Sequence, residues 1–265
     1  MKPFLPLCAL VSLLMGSVYT AQAQYQDTIS ADRPGITISP YVVGKKVLQA
    51  EHGVEFFDNF EDTANINTYT TEHVIRYGLS ERFELNALFE YEVDRITLKD
   101  DGQLERQNGI SNLHLGFRVS LCDEKKWRPA IVYQLRLVIP HVSAEYGNEY
   151  VAPEMSLSTQ YSLPKNMTFG TTWVLAWDGN TPAPLGQYAL NFGFPIVGNL
   201  NGYVEHYGDL QSKQYEARVD GGLMYFLGPN LQLDLSAGYG RNHGITDYFV
   251  STGIAWRVRF RERGV

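Results

Sequence analysis

Residues 82–93 read Arg-Phe-Glu-Leu-Asn-Ala-Leu-Phe-Glu-Tyr-Glu-Val. Phe83, Leu85, Ala87, Phe89, Tyr91 and Val93 would share one face of an extended chain, and none is charged. Arg82, Glu84, Asn86, Leu88, Glu90 and Glu92 would share the other, and four of those six are charged. Successive side chains of a strand point to opposite sides, so the segment is a β-strand with an apolar face and a polar face.

The same alternation recurs along the chain. Ser111, Leu113, Leu115, Phe117, Val119 and Leu121 oppose Asn112, His114, Gly116, Arg118 and Ser120, and Leu231, Leu233, Leu235, Ala237 and Tyr239 oppose Gln232, Asp234, Ser236 and Gly238. Twelve strands are expected, over 47–57, 70–79, 81–93, 109–121, 129–139, 151–162, 166–177, 186–196, 200–208, 214–227, 230–240 and 246–260. The second and ninth are the least regular. Most exceed the usual five or six residues of soluble strands and reach the 9–11 or so that a tilted strand needs to cross a bilayer. The intervening stretches alternate as well. Tight ones such as Pro164-Lys165-Asn166 and Gly228-Pro229-Asn230 take turns with polar ones, mostly longer, at 58–69, 94–108, 140–150, 178–185, 209–213 and 241–245.

Short turns on the side of both termini and longer loops opposite are the layout of a bacterial outer-membrane barrel. The expected fold is therefore all-β: a transmembrane, antiparallel, up-and-down barrel of about twelve strands. Apolar-face aromatics gather at the strand ends, with Tyr77, Phe83, Tyr161, Phe169, Phe194, Tyr225 and Phe260 at the turn side and Tyr91, Trp177, Tyr188, Tyr215, Tyr239 and Tyr248 at the loop side. Two membrane–water interfaces select such belts. The competing soluble sandwich would hide its apolar face in a packed core, where aromatics need not segregate.

Residues 1–23 have a basic start at Lys2, an uncharged apolar run from Phe4 to Val18 and the small-x-small sequence Ala21-Gln22-Ala23. They are expected to be a cleaved signal peptide, exporting the chain to the outer membrane of a Gram-negative bacterium. They hold one base and no acid, so the 22 basic and 29 acidic residues of the chain become 21 and 29 after cleavage. Such an acidic balance speaks against nucleic acid as a partner. Only Cys122 remains as a thiol, so no disulfide framework is available. The remaining expectation is an N-terminal periplasmic arm or plug at 24–46, a barrel at 47–260 and a tail at 261–265. The last strand alternates Thr252, Ile254, Trp256, Val258 and Phe260 with Gly253, Ala255, Arg257 and Arg259. It resembles the C-terminal signal read by outer-membrane assembly machinery, an expected partner alongside outer-membrane lipid and lipopolysaccharide.

Several phrases together resemble the outer-membrane family named for the meta-pathway of phenol degradation. They are Ile29 to Gly35 (ISADRPG), Leu48 to Phe56 (LQAEHGVEF), Arg76-Tyr77-Gly78-Leu79 followed by Phe83-Glu84-Leu85, and Gly109 to Phe117 (GISNLHLGF). The resemblance implies a barrel and a transport role, with a small hydrophobic or aromatic solute.

The polar face carries Glu84, Glu90, Glu92, Arg118, Arg136, Glu154, Glu205, Glu216, Arg218, Asp220, Asp234 and Arg257. Two readings follow. The groups line a lumen that binds or filters solute, or they pair across strands and fill a narrow barrel, because buried charges need partners. Glu84 and Arg118 lie on consecutive strands near the turn side and are expected to share one interior network. Ahead of the first strand, Asp32-Arg33-Pro34-Gly35 is either a plug motif or part of a pinned arm, with Asp32 able to bond nearby backbone amides.

An enzymatic alternative rests on His141, Ser143 and Asn148, whose His-x-Ser faintly resembles an outer-membrane phospholipase and would make the chain a lipid hydrolase. Ile139-Pro140 ends the strand just before them, which withholds the fixed geometry a nucleophile and its base require. The other histidines show no metal-ligand spacing, and no phosphate loop or nucleophile elbow occurs. No cofactor, metal or catalytic residue is expected. The leading reading is a passive transporter or channel for a small solute. A structural or surface-interaction barrel without transport is the third possibility.

Overall fold

A computed structural model describes residues 26–61, 63–100, 102–210, 215–242 and 245–260, except the side chains of 215, 216, 241, 242 and 245. The expected leader at 1–23 and tail at 261–265 lie outside the described residues. Twelve strands follow in order: β1 (Val47–Phe60), β2 (Ala64–Gly78), β3 (Phe83–Leu98), β4 (Leu104–Cys122), β5 (Ala130–Val138), β6 (Ala152–Leu163), β7 (Met167–Ala176), β8 (Leu185–Val197), β9 (Leu200–Leu210), β10 (Tyr215–Phe226), β11 (Leu231–Asn242) and β12 (Ile245–Arg259). Each pairs antiparallel with its sequence neighbours. β1 then pairs with β12 from Val47–Arg259 to Phe60–Thr246, which closes the barrel.

The sheet is inside out by the standard of a soluble protein. Leu85 is 47% exposed on the outer surface, whereas Glu84, next to it, is 0% exposed in the interior. Leu115, Leu137, Trp173, Val204, Val219, Leu235 and Ile254 share the exposed outer face, while Gln49, Glu51, Arg76, Arg118, Gln134 and Gln232 are buried. A soluble sandwich would reverse both sets, so that alternative fails. An apolar exterior wrapped on a polar interior is what a bilayer demands of a closed barrel.

The long loops expected at 58–69 and 94–108 are mostly strand. β1 and β2 continue to Phe60–Asn65, and β3 and β4 to Thr97–Leu104. Both faces of these extensions mix polar residues with a few apolar ones such as Phe60, Ile66, Ile96 and Leu104, so the period of two vanishes from the sequence although the ladder of hydrogen bonds continues. The alternation in loop length is accordingly weaker than expected. Phase also breaks at Ser111: Glu90 faces Asn112 while Tyr91 faces Ile110, leaving Ser111 as a bulge.

One rim carries the start of β1, the end of β12 and the connections at 79–82, 123–129, 164–166, 198–199 and 227–230. The 164–166 turn bends through left-handed Lys165 and Asn166, and the 227–230 turn through Gly228 at φ 80°. The opposite mouth carries the other ends of the strands and, among the described residues, the connections at 139–151 and 177–184. Inside lies the segment 26–46.

Candidate functional site: an arm docked in the lumen

Residues 26–46 belong to no strand, so their buried backbone must find partners on the barrel wall. At the terminal rim, Arg257 Nη2 donates to the carbonyls of Gln26 (2.8 Å) and Asp27 (3.0 Å), and the Ile29 N–H donates to Pro229 O at 2.8 Å. The Ser30 carbonyl accepts from Gln49 and Arg76. The amides of Ile36 and Thr37 donate to Glu205 of β9 at 2.6 and 3.0 Å, and that of Ile38 to Thr172 of β7 at 3.0 Å. The segment then returns: Val43 N–H donates to Glu84 at 2.7 Å, and Lys46 N–H to Gly78 O at 2.8 Å, where β1 begins. The arm is thus a loop with both ends on one rim, its middle held inside the barrel.

Its adjacent charged residues Asp32 and Arg33 meet two different wall sites. Asp32 accepts a two-pronged contact from the Arg118 guanidinium (Nη1 to Oδ1 at 2.9 Å, and Nη2 to Oδ2). The backbone N–H of Asp32 donates to Glu51 at 2.8 Å, and its carboxylate accepts from the Ser39 amide at 3.1 Å, the local backbone bond anticipated for it. Behind it, Glu84 and Arg118 are direct register partners, with Nε and Oε1 3.7 Å apart. Arg76 of β2 completes the cluster. It binds both Glu84 oxygens (2.7 and 3.2 Å), approaches Glu51 (3.4 Å) and donates to Tyr41 O (2.7 Å). Glu51, Arg76, Glu84 and Arg118 are fully buried, so the expected Glu84–Arg118 network exists and is larger than expected.

Arg33 reaches the other way. Its Nη1 donates to Glu72 at 3.2 Å, and its Nη2 to Asp234 at 3.3 Å and Ser251 at 2.7 Å. The guanidinium occupies a slot made by Gly53 and Gly253, which face each other across β1 and β12. A Cβ on either glycine would overlap it. Pro34 follows through a cis peptide, is buried, and accepts from Tyr203 Oη at 3.3 Å.

The remaining predicted wall residues are distributed around this arm. Arg136 donates to Asn86 at 3.2 Å and lies 3.9 Å from Glu154. Glu90 accepts from Asn112, and Glu92 sits one inward step nearer the distal mouth on β3. Arg218 donates to Asp247 (3.1 and 3.2 Å). Asp220 is different: neither carboxylate oxygen has a hydrogen-bond partner among the described residues. The side chain of Glu216 lies outside the described residues. Sequence reasoning missed Glu51, Glu55, Glu72, Arg76, Tyr203 and Phe249. Glu51 and Glu55 alternate with outward residues in Leu48–Phe56 and were readable there. Glu72 and Arg76 lie on β2, where Thr68-Tyr69-Thr70-Thr71 is polar on both faces.

The hydrolase triplet does not assemble. Ser143 Oγ donates to Ile110 O at 2.9 Å and accepts from Tyr146 N at 3.1 Å, while Asn148 Nδ2 donates to Tyr150 O. None of these bonds joins Ser143 to His141. Instead the 139–151 loop folds against β3 and β4, where Tyr146 Oη donates to Asp94 at 2.8 Å. Burial and the Asp94 carboxylate hold the Tyr146 phenol above its ordinary value. His52 and His73, directly paired across β1 and β2, share a 2.7 Å Nδ1–Nδ1 contact on the outer face.

The arm divides the lumen. On the terminal side a cavity of about 160 Å³ lies among Ile29, Pro40, Gln160, Tyr203, Phe226 and Gln232. On the distal side a chamber of about 240 Å³ is lined by Arg33, Glu55, Val74, Leu88, Asp220 and Phe249, among others.

A family model described as "Putative MetA-pathway of phenol degradation" matches residues 31–258. No curated protein matches the chain in sequence. Among solved structures, the COG4313 outer membrane channel from Pseudomonas putida F1 superposes with a TM-score of 0.67 at 10% identity, covering 82% of this chain and 97% of that one. The translocator domain of the autotransporter NalP from Neisseria meningitidis gives 0.52 at 11% identity, over 86% and 91%. The beta domain of the Bordetella autotransporter Brka gives 0.50 at 14% identity, over 81% and 99%. A channel and two autotransporter domains share this barrel, so the likeness identifies the fold and leaves function to the site.

Proposed function

From the chain's membership of this phenol-degradation family, to which it belongs by a match over residues 31–258, we propose that it is a passive outer-membrane channel for a small hydrophobic or aromatic solute, with residues 26–46 as its plug. The solute class follows the family's description. The arm carries the mechanism: it is bonded to β1, β2, β3, β4, β7, β9, β11 and β12, and its residues Asp32 to Gly35 line both lumen cavities. A permanently filled structural barrel needs no such loop, because wall side chains could pair directly with one another.

Solute entering the distal mouth reaches the chamber beside Glu55 and Phe249, and passage requires Asp32 and Arg33 to leave Arg118 and the glycine slot. No bond in the solute is made or broken. The terminal rim faces the periplasm and the distal mouth the outside, and residues 1–23 serve as the cleaved export signal.

Planar-bilayer recording of the full mature chain tests this. Arg33→Gln removes the contacts to Glu72 and Asp234 without adding bulk. Wild type should be mostly closed, and the variant should show at least a tenfold higher open probability. Equal silence in both would refute the plug, and absence of conductance under any condition would refute the channel.

A further inference from the structure

The distal chamber holds negative charge that its own walls leave unbalanced. Two guanidinium groups line it, and both are engaged elsewhere: Arg33 with Glu72 and Asp234, Arg136 with Asn86 and Glu154. Two carboxylates on its wall, Glu55 of β1 and Asp220 of β10, have no basic partner within salt-bridge distance among the described residues. Asp220 is only 7% exposed, both its oxygens are buried without a hydrogen bond, and it lines the cavity. An unpartnered buried carboxylate is costly, and a wall that only needed filling would carry asparagine or serine there.

The surroundings define what would satisfy it. Glu55 is the register partner of Ser251, Ser251 of Ser236, and Asp220 of Gly238, which is in turn opposite Phe249. Two edge carbons of the Phe249 ring sit over Gly238 beside Asp220, and a Cβ at Gly238 would overlap the ring and crowd the Asp220 side chain. A glycine at this point therefore lets an aromatic ring pack against the wall next to Asp220, whose buried oxygens a ligand would reach by displacing the side chains that cover them. Val74, Leu88 and Val174 supply the apolar remainder. At about 240 Å³ the chamber is below the usual range of roughly 300–1,000 Å³ for drug-sized sites, so it suits one ring with a short tail.

We propose that this chamber binds a small organic cation: a primary ammonium on a compact aromatic or apolar body, with the ammonium donating to Asp220, Glu55 adding negative charge from three strands away, and the body against Phe249. An ammonium has three donors and no acceptor, which matches a carboxylate that lacks a donor, and its charge is favoured near an aromatic ring and a second acidic group. The inference rests on the proposed role as a small-solute channel and adds a charge class to it. The other way to neutralise Asp220 is a proton, and in that case neutral and cationic ligands of one shape would bind alike.

Calorimetric titration of the refolded mature chain in detergent at pH 7 decides between these. The probes are phenethylamine, 2-phenylethanol and 3-phenylpropionate, which share a ring and differ in charge. Phenethylamine should bind at least tenfold more tightly than either of the others. Asp220→Asn should weaken phenethylamine at least tenfold and Glu55→Gln by a smaller factor, and both should leave 2-phenylethanol unchanged. Removing an unpaired buried charge does not break a partnership, so both variants should keep the heat-modifiable gel shift of the folded barrel. Equal binding of amine and alcohol, no binding of any probe, or amine binding indifferent to both substitutions overturns the proposal. Binding in detergent does not require conduction. Amine bound by a barrel that never conducts defeats the channel reading alone, and a conducting barrel blind to charge defeats the cation site alone.

Discussion

Arg76 and Arg118 fill the interior as leucines fill a soluble core, but each nitrogen must be answered. Arg76 answers with Glu84, Glu51 and the carbonyls of Ser30 and Tyr41, and Arg118 with Asp32, Glu84 and Gln134. Removing one partner of such a cluster strands the others, at a typical cost of about 3–5 kcal/mol. A double-mutant cycle with Glu84→Gln and Arg118→Met, read by unfolding in detergent, should therefore return a coupling of about 1–3 kcal/mol. A value indistinguishable from zero would mean that the two charges are held separately by Arg76 and Asp32. At this scale the sequence was legible wherever one face was apolar: Glu84 and Arg118 stand out between leucines and phenylalanines. Arg76 did not stand out, because β2 offers no clean apolar face before His73. Nothing in the spacing of Arg33 revealed that two glycines, 200 positions apart along the chain, would make its slot.

Strands are the elements that composition describes best, and all twelve expected strands exist. Their ends were misjudged where the chain leaves the bilayer, since wet faces on both sides erase the apolar–polar contrast that marks a strand. Within the bilayer the phase is testable. Leu85 and Leu235 are both about half exposed on the outer face, and Leu→Arg at either should destabilise by roughly 2–4 kcal/mol. Gln187→Arg is the inward comparison, because Gln187 lines the distal chamber beside Asp209 and an arginine there gains a carboxylate. Asn86 would be a poor comparison despite pointing inwards, since it is buried and already bonded to Arg136. Equal losses at 85, 187 and 235 in detergent unfolding would mean that the phase assigned to these strands is wrong.

Closure makes the whole molecule directional, with both barrel ends on one rim. In a Cys122→Ser background, single cysteines at 100 and 180 should react with impermeant maleimide on intact cells. A cysteine at 165, in the left-handed turn of the opposite rim, should react only after the outer membrane is opened. Labelling at 165 alone on intact cells would invert the barrel. The arm adds a mechanical asymmetry to this polarity. One of its feet is covalent, running through Lys46 into β1. The other is a clasp of hydrogen bonds at Gln26, Asp27 and Ile29. A pull on the chain ahead of Gln26 loads the contacts one after another, first Arg257, then Pro229, then Asp32 and Arg33, so the force needed is that of the strongest single link. Pressure from the distal chamber loads the same contacts side by side and must break them together. The loop is therefore expected to unzip more readily under a pull from the terminal rim than under uniform pressure from the distal chamber.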